Sequence, residues 1–159
     1  MYKNILVPLD SSELAECILP HVESVVKWGG VESVTFIRVV EPVNMSSTIG
    51  DEGYTFSDKE WRRMETESRA AAERYLTGLM DRIKYGGINV TSKVLTGGRT
   101  ADMITEYATK NGVDLITIAT HGRSGISRWV WGSVADRVLR SSSVPVLMVR
   151  APGCEPGGI

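Results

Sequence analysis

One segment runs from a short apolar stretch directly into a glycine-rich loop: Leu115-Ile116-Thr117-Ile118-Ala119-Thr120-His121-Gly122-Arg123-Ser124-Gly125. The apolar part has the length and composition of a buried strand. Gly132-Ser133 follows at the start of a helix-like segment, where the serine is suited to cap the helix or to contact a ligand oxygen. Such a loop binds phosphate in α/β proteins, because main-chain N–H groups and the first helical turn face the anion. An ordinary capped turn has the same outline, so the loop alone favours a binding site only slightly.

Strands and helices alternate along the rest of the chain. Apolar runs predict five strands, at residues 5–9, 34–40, 88–95, 113–119 and 144–149. Near-continuous apolar strands that alternate with helices indicate a parallel sheet covered on both faces. Right-handed crossovers leave few topologies. We therefore expect an α/β fold, a doubly wound five-stranded parallel sheet of order 3-2-1-4-5 with helices on both faces.

Four helical segments separate the strands. The first follows Asp10-Ser11-Ser12, which offer candidate caps, with Glu13 in capping-box register and a bend expected at Pro20. The second is amphipathic over residues 58–85, and the fourth covers residues 133–141. Thr100 is expected to cap the third.

Composition narrows the function classes. A chain of 159 residues fits one domain, which we place at 1–150, with a flexible C-terminal tail at 151–159. A formal net charge of −1 argues against broad capture of nucleic acid or anionic membrane. We expect no signal peptide, because a strand-like run begins almost at once, and no apolar segment is long enough to span a bilayer. Cys17 and Cys154 suggest free thiols, so we expect a cytoplasmic protein.

The predicted topology brings the loop and the first strand together. In this strand order, strands one and four flank the switch point, where ligands bind at the carboxyl ends. Strand one ends at Pro8-Leu9-Asp10 and strand four at Ala119-Thr120. The glycine-rich loop is therefore expected beside Asp10, and this convergence clearly favours a binding site.

Four segments of the chain resemble the universal stress protein family, and the resemblance covers nearly all of it. They are Ile5-Leu6-Val7-Pro8-Leu9-Asp10, Thr120-His121-Gly122, Gly132-Ser133 and Val144-Pro145-Val146-Leu147-Met148-Val149. The nucleotide-binding branch of that family carries Gly-x-x-Gly, nine residues, then Gly-Ser or Gly-Thr. Gly122, Gly132 and Ser133 have this spacing, and Ala119 replaces the first glycine.

The resemblance implies that ATP or a related adenine nucleotide lies across the switch point. Pro8, Leu9 and Asp10 would border the nucleoside, and the backbone of Val39 would face adenine. Asp10 would accept ribose hydroxyls or hold Mg²⁺ or Mn²⁺ with the nucleotide. The phosphates would lie among the loop and the helix entrance: Ala119, His121, Gly122, Arg123, Ser124, Gly125, Gly132, Ser133, Val134 and Ala135. Arg123 is equally well interpreted as a solvated loop arginine.

Family members dimerise through the last strand, so the resemblance also implies a homodimer through Val144 to Val149. The uncharged run before Arg150 is consistent with this, because an unprotected apolar edge strand invites pairing. We expect no nucleic-acid or membrane partner.

Other functions fit the sequence less well. No Gly-x-x-x-x-Gly-Lys-Ser/Thr motif of a P-loop NTPase occurs, and Asp10-Ser11-Ser12 stands where a dinucleotide dehydrogenase needs glycines. His121 lacks an acidic partner for hydrolytic chemistry, so we expect no enzyme beyond weak ATPase activity. His and Cys residues show no metal-ligand spacing. The alternative is a dimeric interaction module of the same fold that binds no nucleotide, which Ala119 favours.

Overall fold

The sheet has the expected architecture. A computed structural model describes residues 1–42, 57–120 and 132–150. Its elements are β1 (Asn4–Pro8), a 3-10 helix (Ala15–Ile18), α1 (Leu19–Lys27), β2 (Ser33–Val40), α2 (Asp58–Arg82), β3 (Asn89–Thr96), α3 (Thr100–Lys110), β4 (Leu115–Thr120), α4 (Ser133–Ser141) and β5 (Val146–Arg150). All strand pairs are parallel, in the order β3-β2-β1-β4-β5. The predicted doubly wound sheet is confirmed.

Helices cover both faces of the sheet. Successive strand residues point to opposite faces, so Ile5 and Leu6 of β1 belong to different cores. Ile5 packs in a cluster that includes Val22 of α1 and Leu79 of α2. The other cluster joins strand residues to α3 and α4, and it contains Leu6, Ile37, Ile104, Ala108, Ile116 and Val138. Two separate cores fix the orientation of β1 and β4 at the centre of the sheet.

The segment around Pro20 differs from the expected bent helix. It divides into the 3-10 helix and α1, and Pro20 stands in the first turn of α1. Proline is tolerated there because the first N–H groups of a helix have no intrahelical acceptor. Pro20 therefore helps to begin α1, and the predicted bend within one helix is wrong.

Two further sequence expectations are corrected. Cys17 is disulfide-bonded, so the expectation of a free thiol there is wrong. Helix α2 ends at Arg82 because Ile83 is already extended, with φ −87° and ψ 128°. It therefore stops three residues before the predicted end at Tyr85.

Some expectations lie outside the described residues. They include most of the loop after β2, at 43–56, and the tail at 151–159. The assignment of 1–150 as one domain stays a prediction. Among the described helices, none has both the length and the apolar character needed to cross a bilayer.

Glu41, just after β2, performs the capping role that was predicted for Thr100. Thr100 is the first residue of α3, and both its N–H (2.7 Å) and its hydroxyl (2.6 Å) donate to Oε1 of Glu41. These hydrogen bonds, first that of the hydroxyl and then that of the N–H, lower the pKa of Glu41 below its ordinary value of 4.5. The contact ties the end of β2 to the start of α3, and the expectation that Thr100 is itself the cap is wrong.

We expect Glu41→Ala to lower the free energy of unfolding by about 0.5 to 1 kcal/mol at pH 7, a modest effect because the carboxylate is solvent-screened. Since the folded-state pKa is lowered, the contribution is present above 4.5 and is lost as the pH falls through the folded-state value. Urea unfolding at pH 7 and pH 3 measures this contribution. The difference in the free energy of unfolding between wild type and Glu41→Ala should be smaller at pH 3 than at pH 7. Glu41→Gln, which keeps an acceptor without titrating, is the control, and an equal deficit for Glu41→Ala at both pH values would contradict the assignment.

Candidate functional site

A cavity of about 260 Å³ opens between the carboxyl ends of β1 and β4. The register of β1 with β2 continues to Pro8, opposite Ile37, whereas its register with β4 ends at Leu6, opposite Ile116. The two central strands therefore separate near their carboxyl ends. This is the switch point of the sheet, where doubly wound proteins bind ligands.

Pro8 explains why the strands separate there. The N–H of Leu9 donates to the carbonyl of Ile37 in β2 at 2.9 Å. Because N–H directions alternate along a strand, the nitrogen of residue 8 faces β4. Proline has no N–H to donate, so the ladder to β4 lacks a bond at this position. Pro8 thus contributes to the separation of β1 and β4 at the cavity.

The cavity gathers nine of the predicted site residues. All nine lie on its wall: Pro8, Leu9, Asp10, Val39, Ala119, Gly132, Ser133, Val134 and Ala135. Five others, the loop residues His121, Gly122, Arg123, Ser124 and Gly125, lie outside the described residues. Sequence reasoning missed eight further lining residues: Leu14, Ala15, Ile37, Arg38, Thr100, Ile104, Ile118 and Thr120. The strands and helices that carry these residues were predictable from the sequence. Which of their side chains face the cavity depends on side-chain direction, which the sequence does not give.

The amino end of α4, which lies on the cavity wall, carries main-chain donors that have no acceptor within the helix. Gly132 is the N-cap, with φ −54° and ψ 135°, and no side chain of the described residues caps the helix. The first intrahelical bond runs from the N–H of Asp136 to the carbonyl of Gly132. The N–H groups of Ser133, Val134 and Ala135 therefore have no partner within the helix. Ser133 is the first helical residue, so of its two predicted roles the cap is excluded and contact with a ligand remains.

Thr120 links the end of β4 to the start of α4. Its side chain is buried, with 3% exposure, and its Oγ1 accepts a hydrogen bond from the N–H of Gly132 at 3.3 Å. A buried threonine that ends an apolar strand before a glycine-rich loop was the available signal in the sequence. The contact holds the N-cap against the sheet and so fixes where the donors of α4 lie.

Asp10 lies in a tight turn at the other side of the cavity. Its Oδ1 accepts from the N–H of Ser12 (2.9 Å) and from the hydroxyl of Ser12 (2.5 Å). Ser12 Oγ in turn accepts from the N–H of Ala15, the first residue of the 3-10 helix, at 3.0 Å. The predicted capping box between Asp10 and Glu13 is replaced by this Asp10–Ser12 turn. The exposed carboxylate is thereby held beside the cavity.

The carbonyl of Val39 points into the space beyond the end of β1. On one side of β2, the carbonyl of Ile37 accepts from Leu9; on the other, the carbonyl of Val40 accepts from the N–H of Gly97 at 3.4 Å. Since carbonyl directions alternate along a strand, the carbonyl of Val39 points to the same side of β2 as the carbonyl of Ile37, which is the side of β1. It lies beyond the N–H of Leu9, the donor that bonds to Ile37, and Val39 is on the cavity wall. This carbonyl can therefore accept a hydrogen bond from a ligand.

A metal at this site would depend on the ligand for most of its oxygens. The described residues contain no group of three or more His, Cys, Asp or Glu side chains that would hold an ion. Mg²⁺ is commonly held by one or two carboxylates together with substrate phosphates and water. Asp10 fits that arrangement as one protein ligand.

Comparisons with known proteins agree with this geometry. The model of the universal stress protein family matches residues 1–150. The universal stress protein MJ0531 of Methanocaldococcus jannaschii is 26% identical over 96% of this chain and 84% of its own length. MJ0577 of the same organism is 28% identical over 94% and 96%.

Solved structures share the fold. That of MJ0577 superposes with a TM-score of 0.75 at 25% identity, covering 94% of this chain and 96% of its own. A universal stress family protein of Arabidopsis thaliana, solved with AMP bound, gives a TM-score of 0.59 over 98% and 97% of the two chains. At 13% identity, the second likeness shows the fold alone.

Proposed function

The chain belongs to the universal stress protein family, and from that membership we propose that it is a regulatory, stress-related protein that binds ATP or a related adenine nucleotide. Slow or no hydrolysis is part of the proposal. One observation carries it: at the amino end of α4, three N–H groups that have no acceptor within the helix lie on a cavity at the switch point of the sheet. Helix amino ends of this kind attract phosphate through donors and dipole together.

Each wall of the cavity suits one part of an adenine nucleotide. The phosphates would lie against Ser133, Val134 and Ala135 at the amino end of α4. Asp10 would accept ribose hydroxyls or share Mg²⁺ or Mn²⁺ with the phosphates. The carbonyl of Val39 would accept a hydrogen bond from the 6-amino group of adenine. The apolar residues between them, such as Ile104 and Ile118, would contact the base.

The proposal includes no catalytic residue. Hydrolysis needs a group that orients or activates water, and the described lining residues include one carboxylate, that of Asp10, and no histidine. The oxygen of that carboxylate that accepts from Ser12 is already engaged in a turn. These features favour binding with slow turnover, the behaviour of a regulatory protein.

We also propose a homodimer through β5. This strand is at the edge of the sheet, where its described pairing is with β4 alone. Leu147 is 37% exposed, and the strand carries no charge before Arg150. An apolar edge strand is a surface for pairing with another copy. A cytoplasmic location is proposed on the family membership alone.

A second candidate is an interaction module of the same fold that needs no nucleotide. Ala119 favours it, because this residue lies on the cavity wall where the nucleotide-binding pattern has glycine. Such a module would use the β5 edge and leave the cavity without a ligand. The two candidates differ in whether the purified protein contains a nucleotide.

We expect the purified protein to retain an adenine nucleotide. Native mass spectrometry of freshly prepared protein should show the added mass, and extraction with acid followed by chromatography should identify the nucleotide. Protein stripped of ligand should regain the mass on addition of ATP and Mg²⁺. A mass that stays that of the bare chain after ATP addition supports the interaction module. Single-turnover hydrolysis at ordinary enzyme rates, roughly 1 s⁻¹ or faster, would refute slow turnover.

A further inference from the structure

We propose that Arg38 is a gate for the base-binding end of the cavity, one that occupies the carbonyl of Val39 until a purine displaces it. The inference rests on the proposed function and adds a specificity-determining residue to it. Arg38 lies on the cavity wall near the carboxyl end of β2, and its side chain is half-buried. The nucleotide-binding pattern in the sequence does not include this residue.

Arg38 links β2 to the turn that follows β1. Its Nη1 donates to the carbonyl of Val39, and its Nε donates to Oγ of Ser11 at 3.2 Å. Ser11 belongs to the turn after β1 and has a positive φ of 71°, a conformation that costs a non-glycine residue energy. The guanidinium therefore lies in the space beyond the carboxyl end of β1, where it contacts the carbonyl of Val39.

The described hydrogen-bond acceptors of the Arg38 guanidinium are neutral oxygens. Within residues 1–42, 57–120 and 132–150, the ion pairs of arginine involve other side chains, such as Arg82 with Glu16 and Arg137 with Asp102. Arg38 forms no such pair with a carboxylate of these residues, so neutral oxygens are its described acceptors. Hydrogen bonds at a partly exposed site contribute little net free energy, because water replaces them readily. A ligand group can therefore displace the side chain.

The 6-position of the purine determines how the ligand meets this gate. Adenine has a 6-amino group, which donates and therefore competes with Arg38 for the carbonyl of Val39. Hypoxanthine has a 6-oxo group, which accepts and would face that carbonyl unfavourably but accept from the guanidinium. Arg38 thus disfavours adenine and favours a 6-oxo purine, relative to a site with no arginine. ATP and inosine triphosphate (ITP) differ in this group and share the same phosphates.

The test compares ATP and ITP binding to wild type and to Arg38→Met by calorimetry on nucleotide-free protein. Methionine fills similar space without a donor or a charge. We expect the ratio of the Kd for ITP to the Kd for ATP to rise roughly three- to tenfold in Arg38→Met, the size expected for one net hydrogen bond. Loss of the positive charge weakens both triphosphates alike and cancels in the ratio.

Arg99→Met is the matched control. Arg99 is exposed, pairs with Asp102 and precedes α3, so its removal takes away the same charge without touching Val39. Its ITP-to-ATP ratio should equal that of wild type. Ser11→Gly is a second variant in case Arg38→Met fails to fold: it removes the Nε acceptor while glycine suits the positive φ, and it should raise the ratio by a smaller factor.

The outcomes separate the gate from the proposed function. If wild type binds ATP and Arg38→Met leaves the ratio unchanged, the gate is wrong and nucleotide binding stands. An equal loss of affinity for both triphosphates in Arg38→Met would place the arginine at the phosphates and also overturn the gate. If neither triphosphate binds wild type, Arg38→Met or Ser11→Gly, the proposed function fails and the gate fails with it.

Discussion

Gly132→Asp is expected to abolish nucleotide retention while making the protein more stable. Aspartate at the N-cap would accept from the first N–H groups of α4, which have no acceptor within the helix, and would interact favourably with the helix dipole. We expect this to add about 0.5 to 1 kcal/mol to the free energy of unfolding. The same carboxylate would occupy the phosphate position and repel the ligand, at a cost of several kcal/mol, or at least about 100-fold in Kd. Calorimetry with ATP and thermal unfolding measure the two effects.

The backbone at Gly132 accommodates the substitution. Its φ of −54° and ψ of 135° are ordinary for any residue, and a Cβ added there would approach Thr120 Oγ1 no closer than 3.9 Å. Loss of binding in Gly132→Asp therefore does not require a change of fold. Opposite signs for stability and affinity are the particular expectation, since a merely damaging substitution would lower both.

Two substitutions at the same position serve as controls. Gly132→Asn is also a good cap but carries no charge, and Gly132→Ala is sterically similar and caps poorly. We expect Asn to stabilise the protein slightly and to bind more tightly than Asp, and Ala to retain binding within a few-fold of wild type. Undiminished ATP binding by Gly132→Asp would show that the phosphates do not lie at the amino end of α4.

The sequence predicted the sheet well because its strands are strongly apolar and regularly spaced. Apolar strand runs alternate with amphipathic helical segments along the chain. This alternation and the handedness of the crossovers predict the order of the strands, the bounds of α4 and the position of the cavity. Nine described residues predicted for the site lie on the cavity. Topology predicted that Asp10 and the loop after β4 lie together, since carboxyl ends of neighbouring parallel strands meet at one edge, and the family resemblance implied the individual site residues.

What the sequence did not predict depends on the direction of individual bonds. Pro20 begins a helix rather than bending one, and Glu41 rather than Thr100 caps α3, because such roles change with a shift of one residue. Arg38 was missed because its contact requires the carbonyl of Val39 to point past the end of β1. Strand length and register, which periodicity gives only to within a few residues, decide that direction.

Leu147→Lys is expected to convert the proposed homodimer into monomers. Leu147 lies on the edge strand β5, where pairing with a second copy would bring the side chain into the interface. Lysine on an edge strand opposes pairing, because the ammonium must lose its water. In a two-fold dimer each substitution counts twice, so we expect the dimer Kd to rise at least about 100-fold. Size-exclusion chromatography with light scattering measures the change from twice the chain mass to once.

Met64→Lys is the matched control for this experiment. Met64 on α2 is 36% exposed, close to the 37% of Leu147, and α2 packs on the β2–β3 side of the sheet, opposite the β5 edge. It should leave the dimer intact. Both positions are exposed enough that the stability of the monomer should change by no more than about 0.5 kcal/mol. If Leu147→Lys keeps the dimer mass, the two copies associate through a surface other than β5. ATP binding should be unchanged in Leu147→Lys, because the cavity is formed by β1, β2, β4 and α4.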